Sequence, residues 1–207
     1  MKKLIAIIMM TFVFSIVNYA QDTTKQETVK KEESGQAVSN ASGILYNDGK
    51  TLFASLGIKF QIEAKDDQSG VKKIYYVSDL DNNFKIYTNP FGNFVTEGKH
   101  YIAYKIEDYV GNFSSIKFLE FVMDLTAPET SISTDKEIVK IGDVIYLSAK
   151  REGGGFAMDK ISGLKTLEYQ IDDQPFKAYA ESFALTDLKT GAHRINFKAT
   201  DNVGNVS

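Results

Sequence analysis

Two stretches of the chain share an alternating pattern of apolar and polar residues that ends in the same turn sequence. They run over residues 98–114 and 191–207, and His193 follows His100 by 93 positions. Apolar residues occupy every second position in both, which places one face of a strand in the core and the other in water. Each stretch closes with Asp-x-Val-Gly-Asn-x-Ser, a run of turn-forming residues. The pattern indicates an internal repeat.

Further short strands are predicted on both sides of the first stretch. Alternating or apolar runs occur at residues 60–64, 71–77, 84–87 and 116–123, with turn residues between them. Seven or so short strands over about 80 residues are typical of an antiparallel sandwich. Matching residues follow in the second half, but a counterpart of residues 116–123 is missing. We therefore predict an all-β protein of two tandem antiparallel sandwiches, the second lacking its last strand, at the front of a longer array.

Composition predicts four segments. Residues 1–20 combine Lys2 and Lys3 with an apolar run of 14 residues, shorter than the ~20 needed to cross a bilayer, and predict a secretory signal peptide. Residues 21–43 are mostly polar and predict a disordered linker. The first sandwich is predicted at residues 44–126 and the second at residues 127–207, because the Pro128 ring ends the strand pattern.

A glycine-rich segment interrupts the similarity between the two sandwiches. If residues 145–149 correspond to residues 60–64, the offset is 85 positions there, against 93 between Gly70 and Gly163. The second sandwich then has eight extra residues, in a segment, residues 151–158, that contains three consecutive glycines. We predict a mobile loop here. It either reaches a partner or is a tolerated insertion, and the insertion is favoured.

Charge and cysteine content exclude several classes of protein. The formal charge is −3, or about −5 without Lys2 and Lys3, so nucleic acid is not a predicted partner. The sequence also lacks a basic amphipathic face for a membrane surface. No cysteine is present, so the core of this exported chain must form by burial alone.

The chain resembles the immunoglobulin-like repeats of bacterial surface and secreted proteins, including outer-membrane and surface proteins of spirochaetes. The resemblance covers roughly residues 51–207 and rests on motifs such as Asp66-Asp-x-Ser-Gly, Gly98-x-His, Asp108-x-x-Gly-Asn and Asp124-x-Thr-Ala-Pro. The second sandwich departs from it at residues 159–163, where one Asp replaces two. The resemblance implies an immunoglobulin-like fold for both sandwiches. It also implies a role as stalk, adhesin or add-on module of a large exported protein.

The two histidines, His100 and His193, occupy matching positions beside a strand start. A catalytic histidine needs a nucleophile or carboxylate partner, and no such constellation accompanies either residue. A turn or packing role is therefore favoured. Zinc is disfavoured because there is no cysteine and no close histidine pair.

Acidic residues cluster in the predicted loops at one pole of each sandwich. Oxygen-rich clusters of this kind suit calcium, which takes 6–8 oxygen ligands. The other interpretation, which we favour, is that Asp and Asn are simply good turn formers. The candidate calcium ligands are Asp66, Asp67 and Asp108 in the first sandwich, Asp159 and Asp201 in the second, and Asp124 at the joint.

Together these features predict an exported, non-catalytic surface protein. Its first predicted role is adhesion or ligand binding, in which loops and exposed strand faces contact a protein or glycan. A structural spacer or stalk is the alternative. An integral outer-membrane component is disfavoured because Lys59, Gln61, Glu63 and Lys65 would put polar and charged side chains into lipid. An enzyme is the least favoured class, and no transmembrane helix is predicted in the mature chain.

Overall fold

The computed structural model describes residues 43–134, 139–142, 144–148 and 152–207. The predicted signal peptide lies outside these residues, as does the predicted linker apart from Gly43. The described residues form strands and turns and no helix, so the prediction of an all-β protein is confirmed. The chain divides into two compact units between Asp124 and Leu125, two residues before the predicted boundary.

The described part of unit 1 contains six strands. Their bounds are β1 (Leu45–Asn47), β2 (Leu52–Ala54), β3 (Val71–Ser78), β4 (Lys85–Ile86), β5 (Gly98–Asp108) and β6 (Lys117–Met123). They form one sheet in the order β1-β2-β6-β5-β3-β4. All neighbours are antiparallel except β2 and β6, which are parallel, so the prediction of purely antiparallel pairing is wrong at this one pair. The long strand β5 therefore lies between β3 and β6.

The alternation along β5 determines the core of unit 1. Ile102 and Ile106 point inward and are completely buried, because every second side chain of a strand lies on the same face. Phe121 and Met123 of β6 are buried with them. Phe60 lies over this layer with its ring centroid 4.7 Å from that of Phe121. Burying such side chains stabilises the unit by about 1.5–3 kcal/mol each.

The residues of unit 2 that the structure describes form eight strands. Their bounds are β7 (Glu129–Thr134), β8 (Val139–Ile141), β9 (Val144–Tyr146), β10 (Glu152–Met158), β11 (Leu164–Ile171), β12 (Lys177–Ala178), β13 (Phe183–Ala184) and β14 (Ile195–Asp201). They form two three-stranded sheets, β13-β10-β7 and β12-β11-β14, and the hairpin β8-β9. The pairs among these eight strands are all antiparallel.

The hairpins of the two units have the same geometry. The strand order β5-β3-β4 of unit 1 corresponds to the order β14-β11-β12 of unit 2. The hairpin β1-β2 likewise corresponds to the hairpin β8-β9. In unit 1 the rings of Tyr76 and Tyr87 lie 6.2 Å apart at 86°. Tyr169 and Tyr179 lie 6.2 Å apart at 86° in unit 2. The same aromatic packing therefore holds both hairpins.

The consecutive glycines lie in strand β10, so the prediction of a mobile loop is wrong. β10 pairs with β7 on one side and with β13 on the other. Gly153 lies opposite Phe183, just as Phe60 lies opposite Phe91 in unit 1. β10, rather than residues 145–149, is thus the counterpart of the segment around Phe60, and the inferred eight-residue insertion disappears.

Aromatic rings explain why β10 contains glycine. A Cβ atom on Gly155 would lie 2.1 Å from the ring of Phe197, and one on Gly153 would lie 2.5 Å from the ring of Phe183. Both distances are far below van der Waals contact. The glycines make room for two rings that lie directly against the strand backbone.

Gly155→Ala should destabilise unit 2 by about 1–3 kcal/mol, because the new methyl group overpacks the site of the Phe197 ring. Chemical denaturation monitored by tyrosine fluorescence measures the change. Phe197→Leu shortens the clashing side chain. The double variant Gly155→Ala, Phe197→Leu should therefore lose less free energy of unfolding than the sum of the losses in the two single variants. Additive losses would contradict the proposed contact.

Candidate functional site

A buried carboxylate ends the central strand of unit 1. Asp108, the last residue of β5, has no exposed surface. Its Oδ1 accepts the backbone N–H groups of Val110 at 3.0 Å and Asn112 at 2.7 Å. Its Oδ2 accepts the side-chain amide of Asn112 at 2.8 Å. The carboxylate therefore accepts three donors of the turn, which leaves β5 toward Ser114.

The pKa of Asp108 lies below its ordinary value of 3.8. Burial by itself would raise this pKa, but hydrogen bonds from Asn112, Ser69 and Val110 outweigh burial because they stabilise the ionised form. The contribution of Asp108 to stability is therefore present above the unfolded-state pKa and lost as the pH falls through the lower folded-state value.

Asp201 has the same environment in unit 2. It is completely buried, and it accepts the N–H groups of Val203 at 2.9 Å and Asn205 at 2.8 Å. The side-chain amide of Asn205 donates to it at 2.7 Å. Ser207 then returns alongside the strand, and its Oγ accepts the N–H of Ala199 at 2.9 Å. Asp, Asn and Ser of the shared motif thus each have a defined hydrogen-bonding role.

The other predicted calcium ligands also take part in turns. Oδ1 of Asp159 accepts the N–H of Ile161 at 3.0 Å and of Gly163 at 2.7 Å. Asp66 accepts the N–H of Gln68 at 2.9 Å and the hydroxyl of Ser69 at 3.0 Å. These contacts are the turn-forming hydrogen bonds that the favoured sequence interpretation expects.

The carboxylates differ in how closely they approach one another. Carboxylate oxygens of Asp159 and Asp201 lie within 4.8 Å of each other in unit 2. In the described part of unit 1, no three acidic or histidine side chains bring their ligand atoms that close together. Two carboxylates can supply at most four of the 6–8 oxygens that calcium takes, so carbonyls and water would have to complete the shell.

Asp67 and Asp124 have other surroundings. Asp67 lies 2.6 Å from Lys65, and both side chains are exposed. Asp124 is completely buried at the end of unit 1, and its N–H donates to the carbonyl of Ala54 at 3.0 Å. The predicted grouping of Asp124 with acids of the second unit, and calcium itself, stay predictions.

Asp201→Ala should destabilise unit 2 by about 2 kcal/mol or more, because it leaves buried backbone donors without an acceptor. Asp173→Ala, at an exposed position, is the matched control and should leave the stability of unit 2 almost unchanged. Thermal unfolding by calorimetry measures both.

The same calorimetry, run with millimolar calcium and with a chelator, tests the metal prediction. A calcium site at Asp159 and Asp201 should raise the Tm of unit 2 in calcium, and Asp159→Asn should abolish that rise. Identical transitions of the unaltered chain in the two buffers would rule out calcium and leave turn formation as the role of these carboxylates.

The His100 side chain links the turn at Asp79 to the segment at Thr96 in unit 1. Its Nδ1 lies 2.7 Å from Oδ2 of Asp79, and its Nε2 lies 2.8 Å from the carbonyl oxygen of Thr96. The other oxygen of Asp79 accepts the N–H of Tyr101 at 3.2 Å. The ring also stacks on Phe121 at 5.7 Å and is almost completely buried. The expectation that no carboxylate accompanies the histidines is therefore wrong, because Asp79 contacts His100. The buried ring, stacked on Phe121, still has a packing role at the start of β5.

His193 makes the matching contacts in unit 2. Nδ1 lies 2.8 Å from Oδ2 of Asp172, and Nε2 lies 2.7 Å from the carbonyl oxygen of Lys189. Both ring nitrogens thus face acceptors, an arrangement suited to the protonated ring. The hydrogen bond to Asp172, followed by that to Lys189, raises the pKa of His193 above 6.5. The pKa of Asp172 is lowered, chiefly by the N–H of Arg194 and then by His193.

NMR titration should find the pKa of His193 above 6.5, and Asp172→Asn should lower it because the carboxylate is removed. The stabilisation from this pair should be complete below the unfolded-state histidine pKa and decline as the pH rises through the folded-state value. At the acid end it should decline as the pH falls through the lowered pKa of Asp172. An unchanged His193 titration in Asp172→Asn would contradict this assignment.

The outward face of the unit 1 sheet is rich in exposed aromatic side chains. We call this surface the aromatic face; its members are Tyr75, Phe84, Ile86, Tyr101, Lys105, Phe113 and Phe118. Phe118 is 66% exposed, Phe113 55% and Tyr101 40%. The Tyr101 and Phe118 ring centroids lie 6.4 Å apart. Several large apolar side chains therefore share one solvent-facing surface.

Lys105 lies among the rings of the aromatic face. Its Nζ is 4.9 Å from the ring centroids of Phe84 and Phe113 and 5.8 Å from that of Tyr75. Cation–π attraction at these distances contributes about 0.5–1 kcal/mol at exposed sites. The Tyr75 hydroxyl donates to Glu107 at 2.7 Å. These contacts fix the rings in position and put polar groups at their border.

Unit 2 has charged or small residues at three of the matching positions, but Phe176, the counterpart of Phe84, keeps a ring with Lys198 Nζ 4.7 Å from its centroid. Glu168 takes the place of Tyr75, and it lies 2.7 Å from Lys198, the counterpart of Lys105. Arg194 takes the place of Tyr101, and Ala178 that of Ile86. The hairpin shared by both units consequently does not require a large apolar side chain at the positions of Tyr75, Ile86 and Tyr101.

Sequence reasoning missed the aromatic face, although its signal was present. Tyr101 and Lys105 alternate with buried residues on β5, so both were predicted to face water. The sequence does not show which residues of β3 and β6 lie beside them. The registers of Tyr75 opposite Lys105 and Phe118 opposite Ala103 bring the rings together.

No family model, curated protein or solved structure matches this chain. Within the part of the chain that the structure describes, no helix has the length and apolar character needed to cross a bilayer.

Proposed function

We propose that the protein is an exported, non-catalytic binding module that acts in adhesion at the cell surface, and that its aromatic face contacts the ligand. The carrying observation is the exposed aromatic surface on the unit 1 sheet, where the matching hairpin of unit 2 has Glu168, Arg194 and Ala178. Contiguous exposed apolar surface with a polar border is characteristic of interaction sites.

The chemistry of the aromatic face suits a protein or glycan ligand. Tyrosine and phenylalanine supply large contact areas at a low entropic cost, since each has only two rotatable side-chain bonds. Glu107 and Lys72, which form an ion pair at 2.6 Å, offer polar groups on the same sheet. Among the described residues, both histidines are held by structural hydrogen bonds, which supports the non-catalytic part of the proposal.

The proposal includes an immunoglobulin-like fold for each unit and export by cleavage after Ala20. The fold is supported by the antiparallel pairing around β5 and β14 and by the motifs that resemble bacterial surface repeats. Export is supported by the apolar run behind Lys2 and Lys3.

A structural spacer is the second candidate. It is favoured by the similar hairpins of the two units, because a spacer gains length by adding similar units. It does not account for the exposed rings of unit 1, so binding remains the first proposal.

Solid-phase binding to immobilised extracellular-matrix proteins and glycans tests this proposal. The unaltered chain should show saturable binding at physiological salt. The triple variant Tyr101→Ser, Phe113→Ser, Phe118→Ser should bind at least about tenfold more weakly, because central aromatic contacts dominate interface energies. Phe156→Ser is the matched control, since it removes a side chain that is 57% exposed from unit 2. It should bind like the unaltered chain.

Circular dichroism should show that each variant remains folded, since the substituted rings are 40–66% exposed and lie outside the buried core. Absence of saturable binding by the unaltered chain would favour the spacer. Equal loss of binding in Phe156→Ser and in the triple variant would remove the aromatic face from the proposal.

A further inference from the structure

A pocket opens in unit 1 where strand β3 ends. It has a volume of about 150 Å³, and Tyr76, Phe91 and Phe94 supply aromatic rings to its wall. A space of this size holds roughly one six-membered ring. None of the residues that line it belongs to the aromatic face, because Tyr75 and Tyr76 point to opposite faces of β3. The pocket is therefore a second candidate site, beyond the proposed function.

Contacts within unit 1 hold the aromatic wall of the pocket in place. The ring of Phe91 stacks on Tyr76 with centroids 4.0 Å apart. The backbone of Phe91 exchanges two hydrogen bonds with Phe60, at 2.7 and 3.1 Å. Phe94 is buried, and its ring meets Phe121 edge-on at 4.8 Å. A ligand therefore does not have to order these rings when it binds, which favours affinity.

Polar groups of several kinds line the rest of the pocket. Ser78 is buried, and its hydroxyl donates to Oδ2 of Asp81 at 3.3 Å. Nζ of Lys85 lies 2.5 Å from Oδ1 of Asp81, and the two side chains are 56% and 22% exposed. The amide of Asn93 is exposed and makes no side-chain hydrogen bond to the described residues. Together these groups both donate and accept hydrogen bonds.

Unit 2 lacks two of these polar groups at the matching positions. Ile171 takes the place of Ser78, since each is the last residue of its strand. Gln174 takes the place of Asp81: the N–H of Asp81 donates to the carbonyl of Ser78 at 3.0 Å, and that of Gln174 to Ile171 at 3.2 Å. The turn consequently forms without the hydroxyl and the carboxylate, so turn formation does not explain their presence in unit 1.

We propose that this pocket binds the terminal pyranose ring of a neutral glycan. A pyranose combines apolar C–H groups, which pack on the negative faces of aromatic rings, with hydroxyl groups that donate and accept. The aromatic wall suits the C–H groups, and Ser78, Asp81 and Asn93 suit the hydroxyls. Pockets that recognise small ligands commonly join an apolar lining to a few polar groups in this way.

Charge favours a neutral sugar over an acidic one. Lys85 is the cation of the pocket, and Asp81 already pairs with it. The carboxylate of an acidic sugar would have to compete with Asp81 for that cation and would approach a like charge. The volume of the pocket limits the bound part to one ring, so the ligand presents a chain end.

NMR titration of the isotopically labelled 207-residue chain tests this proposal. The probes are the methyl glycosides of glucose, galactose, mannose and N-acetylglucosamine, with methyl glucuronide as the charged member of the panel. At least one neutral glycoside should give saturable shifts centred on Ser78, Asp81, Lys85 and Asn93. Its dissociation constant should be on the order of 1 mM, because a single ring makes few contacts. Methyl glucuronide should bind more weakly.

Three variants separate the pocket from other surfaces. Asn93→Ala should weaken binding of the glycoside about three- to tenfold, because one hydrogen bond to the ligand is lost. Asn83→Ala is the matched control: Asn83 is an exposed asparagine that does not line the pocket, so its removal should leave the affinity unchanged. Asp81→Asn frees Lys85 and should strengthen binding of methyl glucuronide.

Several results would overturn the proposal. They are the absence of saturable shifts with every neutral glycoside, tightest binding by methyl glucuronide, and equal losses in Asn93→Ala and Asn83→Ala. Unchanged glucuronide affinity in Asp81→Asn would contradict the charge argument. Tighter binding of N-acetylphenylalaninamide at the same residues would assign the pocket to a peptide side chain. The pocket and the aromatic face share no residue, so failure here leaves the proposed function intact.

Discussion

The buried carboxylate at the end of each central strand is the interaction on which the hairpins depend. Asp108 and Asp201 have no exposed surface, and each accepts three hydrogen bonds from the turn that follows. A buried charge is costly unless it is fully hydrogen-bonded, so these turns have one favourable conformation. That conformation returns the chain along the same strand edge, where Ser114 or Ser207 closes it.

Aromatic side chains on the inward and outward faces of the hairpins have different roles, although the two units have similar backbones. On the inward side, Tyr76 and Tyr169 pack against the same kinds of ring and stabilise the hairpin. On the outward side, unit 1 exposes several rings with Lys105 among them, whereas the described hairpin of unit 2 keeps the ring of Phe176 beside Lys198. Internal packing limits the inward positions to residues of suitable shape. The outward positions are free to differ, and binding specificity can develop there without a change of fold.

Local patterns in the sequence determined the strand character of residues 98–108, their inward and outward faces and the turns at Asp108 and Asp201, because alternation and turn chemistry act over a few residues. Tertiary structure decided what depends on distant partners. The glycines of β10 suggested a loop until Phe197 and its neighbours proved to lie against them. The aromatic face likewise required the registers of three strands, which no single segment specifies.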